Sequence, residues 1–106
     1  MFKLGLWLDD ERKPYDSFSK EVTFVLKAKT YKEAINIIER TIEQDVNKEL
    51  YISFDHDLGN GKNGYDVAKY LVENQIQIGG FTVHSMNPVG KKNIIQLLTH
   101  YGYKNI

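Results

Sequence analysis

The stretch Leu-Tyr-Ile-Ser-Phe-Asp-His-Asp (50–57) sets the pattern for the whole chain. Leu50 to Phe54 has the length and the aromatic and β-branched content of a strand, and it stops at Asp55, His56 and Asp57. Leu4 to Leu8 is another apolar run, a buried strand closed by Asp9 and Asp10. Phe81-Thr82-Val83 repeats the pattern and is closed by His84 and Ser85. One acid after one strand carries little meaning. Three ionisable clusters at equivalent strand ends imply a shared pocket beyond the carboxyl edge of a sheet, where open parallel sheets bind their ligands.

The segments between these runs support that sheet. Val22 to Ala28 is rich in β-branched and aromatic residues and predicts a further strand. Thr30 and Glu33 fit a capping box, and Tyr31, Ala34, Ile35, Ile38 and Ile42 follow at helical spacing, which predicts a helix over 31–45. Gly59, Asn60, Gly61, Asn63 and Gly64 predict a flexible loop beside the pocket, without the spacing of a phosphate-binding glycine motif. Tyr65, Ala68, Leu71 and Val72 then predict an amphipathic helix, and Gly79-Gly80 a turn. Asn87-Pro88 opens a last helix, Asn as its cap and Pro in its first turn. Ile94, Leu97, Leu98 and Tyr101 form its inner face, Gly102 ends it, and Tyr103 to Ile106 leave room for the stub of a fifth strand. Pro14 and Asp16-Ser17 mark a loop rather than a full helix. Strands alternating with helices make an α/β fold with a parallel sheet and right-handed crossovers.

Composition narrows the function. The 106 residues suit a single domain over 1–106, large enough to bury a core without staples. With no cysteine, disulfides and thiolate metal sites are excluded. A net charge of zero provides no general field for DNA, so non-specific DNA binding is not expected and any anion must be held locally. The mean hydropathy is −0.45 and no apolar run approaches a membrane span, so a cytoplasmic protein with no membrane partner is expected. Lys3 and Asp9 do not suit a signal peptide. Trp7 reads as core, and Tyr65, Tyr70, Tyr101 and Tyr103 as packing groups.

The clustered residues suggest their chemistry. Asp9, Asp10, Asp55 and Asp57 would crowd one rim, where carboxylates raise one another's pKa or recruit a hard cation such as Mg²⁺ or Mn²⁺; solvated loop acids are the plain alternative. His56 and His84, on neighbouring strand ends, could divide acid and base work at a phosphate, or serve as neutral metal ligands. His100, in the last turn of a helix, is there as a favourable cation. In Asn87-Pro88-Val89-Gly90-Lys91-Lys92, lysines and no acid occupy a helix start, which suits a docked phosphate as well as it suits two solvated side chains. Arg12 could fork onto a phosphate or pair with Asp10 or Glu11. Ser85 lacks a nucleophile elbow, so a serine hydrolase is not favoured.

An acid pair after the first strand, an aspartate after the third and a hydroxyl after the fourth resemble a response-regulator receiver domain. Asp9 and Asp10 match the acid pair, Asp55 the phosphoacceptor with Leu58 and Gly64 at suitable distances, and Ser85 the switch residue. The resemblance implies a flavodoxin-like three-layer fold with four to five parallel strands in the order 2-1-3-4-5. Here the first helix would be reduced or absent. The receiver lysine has no counterpart, since Lys104 follows Gly102 too closely, and His56, Asp57 and His84 are additions. Three strings, Leu-Trp-Leu-Asp-Asp-Glu-Arg-Lys-Pro (6–14), Phe-Asp-His-Asp-Leu-Gly (54–59) and Val-His-Ser-Met-Asn-Pro-Val-Gly (83–90), more closely resemble the cyclic-phosphate processing receiver domain, a family of small domains that also occurs in phage genomes.

That resemblance implies a phosphoesterase-like enzyme acting on a cyclic nucleotide or an RNA 2′,3′-cyclic end. The expected catalytic residues are His56, His84, Asp55 and Asp57. Arg12, Ser85, Asn87, Gly90, Lys91 and Lys92 would bind phosphate. Asp9, Asp10, Asp55 and Asp57 would hold a divalent ion if one is used. The alternatives are a signalling module phosphorylated on Asp55 and a binder that holds a nucleotide without turning it over.

Overall fold

The computed structural model describes residues 2–44, 48–59 and 61–106. In chain order the elements are β1 (Phe2–Leu8), α1 (Asp16–Glu21), β2 (Phe24–Ala28), α2 (Tyr31–Gln44), β3 (Lys48–Phe54), α3 (Gly64–Glu73), β4 (Gly80–Val83) and α4 (Pro88–His100). The strands form one parallel sheet in the order β2-β1-β3-β4. This is the receiver-like order. The fifth strand is a stub: Asn105 bridges Phe81 in parallel, with Phe81 N–H donating to Lys104 and Ile106 N–H donating back to Phe81.

Side-chain alternation along β1 explains the layers. Leu4, Leu6 and Leu8 face α2, α3 and α4 and join Leu50, Ile52, Phe54, Ile38, Leu71, Ile94 and Leu98 in the main core. Gly5 and Trp7 face the opposite way, where α1 packs. A Cβ on Gly5 would strike Phe18 and Val22 of the α1 segment, so the absent side chain is what lets that short helix lie close. Pro14 and Asp16-Ser17 do not, therefore, leave a plain loop: residues 16–21 form a helix of 6 residues, reduced rather than absent. Phe18 seats on Trp7 and supplies the burial that local propensity lacks.

Helix boundaries follow their caps. Thr30 Oγ1 accepts from Glu33 N–H, while the Glu33 carboxylate reaches back to the N–H of Lys29. The predicted end of this helix at 45 lies outside the described residues, as does Asn60. Within α2, Thr41 is buried and Ile42 exposed, because Thr41 hides its hydroxyl on the Ile37 carbonyl and takes the inward position. The glycine-rich stretch ends in order rather than in a loop. Asn63 and Asp66 close a capping box, and Gly64 is already helical. At the other end of the fold, Gly102 (φ +87°) completes a Schellman turn in which Tyr103 N–H donates to Leu98 and Gly102 N–H to Thr99. That turn carries Tyr101 outward to 58% exposure, so it does not belong to the inner face of α4.

Gly64 also ties α3 to the site. Its N–H donates to the His56 carbonyl, and a Cβ there would collide with the carbonyl oxygen of Asp55. The obstacle is backbone, which cannot rotate away. Gly64→Ala is expected to cost roughly 2–3 kcal/mol in urea denaturation, by overpacking at a position with no room to relax. A loss below about 0.5 kcal/mol would mean that α3 slides off the strand end without penalty.

Candidate active site

The polar strand ends converge as the parallel sheet requires. The ladder runs one residue beyond each strand: Asp9 N–H donates to Ala28, Asp55 N–H to Leu8 and His84 N–H to Phe54. Asp9, Asp55 and His84 are thus pinned by their backbones on adjacent strands. All three are buried, and one ligand-capable atom of each lies within 4.8 Å of the others.

Asp9 is the hub. Its Oδ1 accepts the backbone N–H groups of Glu11 and Arg12, at 2.8 and 2.9 Å, folding residues 9–12 into a tight turn. Trp7 Nε1–H fixes the same turn by donating to the Arg12 carbonyl at 2.9 Å. The chain therefore doubles back and lays the Arg12 guanidinium over the acids. Arg12 Nε stands 3.3 Å from Asp9 Oδ2, and a terminal nitrogen stands 3.7 Å from Asp55 Oδ2. Its other terminal nitrogen donates to the Tyr15 hydroxyl at 3.1 Å. Arg12 pairs with neither Asp10 nor Glu11, the partners its sequence neighbourhood suggests, because the turn directs it across Asp9.

His84 occupies the second side of Asp9. Its Nε2 is 2.9 Å from Asp9 Oδ2, its Nδ1 is 2.8 Å from Ser53 Oγ, and its ring stacks on Trp7 at 3.8 Å and 5°. Tyr15 meets both rings edge-on. Burial alone would push the Asp9 carboxyl up, but the N–H groups of Arg12 and Glu11 together with His84 outweigh it and hold it below its ordinary value. Burial pushes the His84 imidazole down, more than Asp9 and Asp55 raise it. These directions assign the protons. An ionised Asp9 only accepts, so His84 carries its proton on Nε2, and Nδ1 accepts from the Ser53 hydroxyl. Both ring nitrogens are committed inside the protein.

Those shifts make stability depend on pH. In both groups the folded state binds protons less readily than the unfolded chain, so the unfolded state gains protons first on acidification. The contribution of His84 is complete above its ordinary value of 6.5 and is lost as pH falls toward its lowered folded value. That of Asp9 is lost further down, below 3.8. The melting temperature is expected to fall between about pH 7 and pH 5, and this slope is expected to flatten in His84→Gln. An unchanged melting temperature in the wild-type protein would be incompatible with a buried neutral imidazole.

His56 is placed differently. Its Nδ1 is 2.9 Å from Asp57 Oδ1, and Asn87 Nδ2 donates weakly to Asp57 Oδ2 at 3.4 Å. The bond from His56, with a lesser one from Asn87, holds the Asp57 carboxyl below its ordinary value against the opposing effect of burial. An ionised Asp57 accepts a hydrogen bond from Nδ1–H, which leaves the lone pair of His56 on Nε2, with no hydrogen-bond partner among the described residues. The ring lies against α4 at Gly90, where any Cβ would overlap it.

The helix start on which phosphate binding was expected is largely closed. The Gly90 N–H donates to the Asn87 side chain, Lys91 N–H to the Asn87 carbonyl, and Asn87 N–H to Ser85 Oγ. Pro88 has no N–H, so Val89 alone keeps a free donor in this turn. The cap that starts the helix consumes the groups an anion would need. Gly90 and Asn87 thus serve α4 and His56, while Lys91 remains available through its side chain.

Two open spaces meet at this edge. A cleft of about 630 Å³ is lined by Asp10, Glu11, Arg12, Asp55, Asp57 and Gly59. A groove of about 770 Å³ on the α1 side runs past Tyr15, Thr82, His84, Ser85, Lys91 and Lys104. Met86, 81% exposed, borders both. Lys92 is exposed and lines neither. The site residues that sequence reading missed are Ser53, Trp7 and Tyr15. Ser53, a small hydroxyl inside Leu-Tyr-Ile-Ser-Phe, was the available signal.

The expected metal ligands divide between these places. Asp9 and Asp55 come together, and Asp55 also lines the cleft beside Asp10 and Asp57, which belong to no closed ligand set among the described residues. The set that does close, Asp9, Asp55 and His84, does not fit a divalent ion as it stands. Oδ2 of Asp9 faces Nε2 of His84 and Nε of Arg12, and the imidazole nitrogen on that side is a donor.

Among the described residues no helix is long and apolar enough to cross a membrane. The chain shows no significant match to a curated protein or to a solved structure. The family model described as the cyclic-phosphate processing receiver domain matches residues 4–100, which takes in all three strand-end clusters and the start of α4. With that match and a receiver-like sheet order, the chain belongs to the cyclic-phosphate processing receiver domain family.

Proposed function

We propose that this domain hydrolyses a cyclic phosphate, a cyclic nucleotide or an RNA 2′,3′-cyclic end, with His56 as the general base. The observation that carries the reading is the Asp57–His56 pair. A carboxylate holds the Nδ1–H at 2.9 Å, and Nε2 keeps its lone pair. This is how an imidazole is oriented to take a proton from water. The attacking water gives a proton to Nε2 as its oxygen bonds to phosphorus, the P–O bond to one ester oxygen breaks, and that oxygen takes a proton from solvent. His84 is a positioning residue in this reading. Both its nitrogens are engaged, and it keeps Asp9 and Arg12 in place.

The charge of the site supports a cyclic substrate. Arg12 on the cleft side, and Lys91 with Ser85 on the groove side, flank Met86 and would hold the phosphate there. The cleft itself is acidic, through Asp10, Glu11, Asp55 and Asp57. A cyclic diester carries one negative charge, whereas the monoester product carries about 1.5 to 2 near neutral pH. Those carboxylates therefore repel product more than substrate and favour its release. Lys104 lines the groove rather than the cleft of Asp55, so it is not grouped with that acid as a receiver lysine would be.

The test is incubation of the purified protein with 2′,3′-cyclic and 3′,5′-cyclic nucleotides and cyclic-ended RNA, read by mass spectrometry. Gain of one water on a substrate, lost in His56→Ala, is the expected result. Ligand recovered intact but bound would overturn hydrolysis in favour of a binder. A phosphoryl group gained by the protein from a small phosphodonor, and lost in Asp55→Asn, would replace it with the receiver reading.

A further inference from the structure

The acid pair and strand-end aspartate of a receiver are the residues with which that fold holds a divalent ion. In this chain the space between Asp9 and Asp55 is already filled by Arg12, while Asp10 lies on the open cleft beside it. We infer that the Arg12 guanidinium is the resident cation of the Asp9–Asp55 site, that it excludes a divalent ion, and that the domain works without one.

Three independent contacts fix the guanidinium there. Asp9 Oδ2 lies 3.3 Å from Nε, Asp55 Oδ2 lies 3.7 Å from a terminal nitrogen, and the Tyr15 hydroxyl accepts from the other at 3.1 Å. The backbone holds the residue as firmly as the side chain does. Arg12 N–H donates to Asp9 Oδ1, and its carbonyl accepts from Trp7 Nε1. The main chain of Arg12 is thus tied to Asp9 and Trp7 independently of its guanidinium.

The donor set points the same way. An entering ion needs lone pairs directed at it, at about 2.0–2.1 Å for Mg²⁺. Asp9 Oδ1 is committed to two backbone N–H groups, and Oδ2 is committed to His84 and Arg12. His84 presents a proton, not a lone pair, to that oxygen. Reversing its tautomer would turn a second donor toward Ser53, whose buried hydroxyl would then need a new acceptor. A planar, always-charged fork is suited to bridging two carboxylates at fixed spacing; a lysine ammonium is a point charge and could not reach both in the same way.

Removing the guanidinium should free one lone pair of Asp9 Oδ2 and leave the Asp55 carboxylate without its cation, opening a latent metal site between them. The chain contains a single tryptophan, Trp7, which is stacked on His84 and bonded to Arg12. Its fluorescence reports an adjacent paramagnetic ion without reference to any substrate. Titration of the wild-type protein with MnCl₂ is expected to give no saturable quenching up to about 10 mM, and Arg12→Ala is expected to give saturable quenching at or below about 1 mM. Arg12→Lys is expected to fall between them, and it serves as the reporting variant if Arg12→Ala does not fold. Saturable sub-millimolar quenching of the wild-type protein would overturn the inference, as would a folded variant that binds Mn²⁺ no better than wild type. If hydrolysis is found, it should survive excess EDTA; loss of turnover in EDTA that Mn²⁺ restores would overturn metal independence. Failure to find any hydrolysis leaves the fluorescence result intact, so the two readings fail separately.

Discussion

His56→Ala is expected to lower turnover of a cyclic phosphate by about 10²-fold or more while leaving the domain folded, its melting temperature lowered by only about 4–8 °C. The two halves of that result have separate causes. His56 has one structural bond, to an exposed carboxylate, and its side chain is 17% exposed. Its loss removes the free Nε2 and little of the core. The ring does pack on Gly90, so a small stability cost of about 1 kcal/mol is expected beside the catalytic one. Asp57→Asn keeps the shape of the pair but removes the charge that holds the Nδ1 proton, and it should lower turnover by less than loss of the imidazole. Steady-state rates for the three proteins, with circular dichroism to show that each is folded, decide the matter. Undiminished turnover in His56→Ala would remove the assignment of the base. Turnover abolished by Asp57→Asn but not by His56→Ala would move the chemistry to the carboxylate.

Asp9→Ala is expected to destabilise the fold by about 3–5 kcal/mol, the range for removing one partner of a buried charge pair. Few single substitutions in this chain would cost more. The change strips the acceptor from four donors at once: two backbone N–H groups, the His84 ring and the Arg12 guanidinium. Asp9→Asn should recover only part of the loss. Its oxygen can still cap the turn, but its NH₂ must then face donors from His84 and Arg12. Against a typical domain stability of about 5–15 kcal/mol, this is a large fraction. The neighbouring Asp10 makes no side-chain hydrogen bond among the described residues and lines the cleft, so Asp10→Ala should stay within about 0.5 kcal/mol of wild type. Urea denaturation of the two variants side by side tests the division. Equal effects would mean that the acid pair acts as one solvated cluster and that the buried hub does not hold in solution.

This division of adjacent aspartates shows how far a linear reading reaches. Asp9-Asp10 looks like one acidic pair, yet Asp9 turns into the protein at the end of the ladder, and the turn it caps leaves Asp10 on the cleft. The same applies to the histidines. Both stand at strand ends as expected, and the sequence treats them alike. Packing separates them: Trp7, Ser53 and Asp9 close around His84, while His56 keeps a nitrogen free.

What the sequence determined by itself is the framework. Apolar runs of strand length, helical spacing in Tyr31 to Ile38, the caps at Thr30 and Asn87 and the stop at Gly102 are local signals, each sufficient to place an element to within a residue or two. Because every strand is parallel, their ends must share one edge, so the polar strand ends converge on the candidate site by the same pattern. What only the tertiary structure decided is which partner each polar group has. Arg12 reaches Asp9 and Asp55 because a turn bonded to Trp7 directs it there. The helix start at Asn87 loses most of its anion-binding donors to its own cap. The α1 helix forms because Gly5 leaves room for Phe18 and Val22. Those outcomes depend on contacts between residues distant in the chain, or on which of several local hydrogen bonds wins once the surrounding groups are buried. No spacing within the sequence encodes that choice.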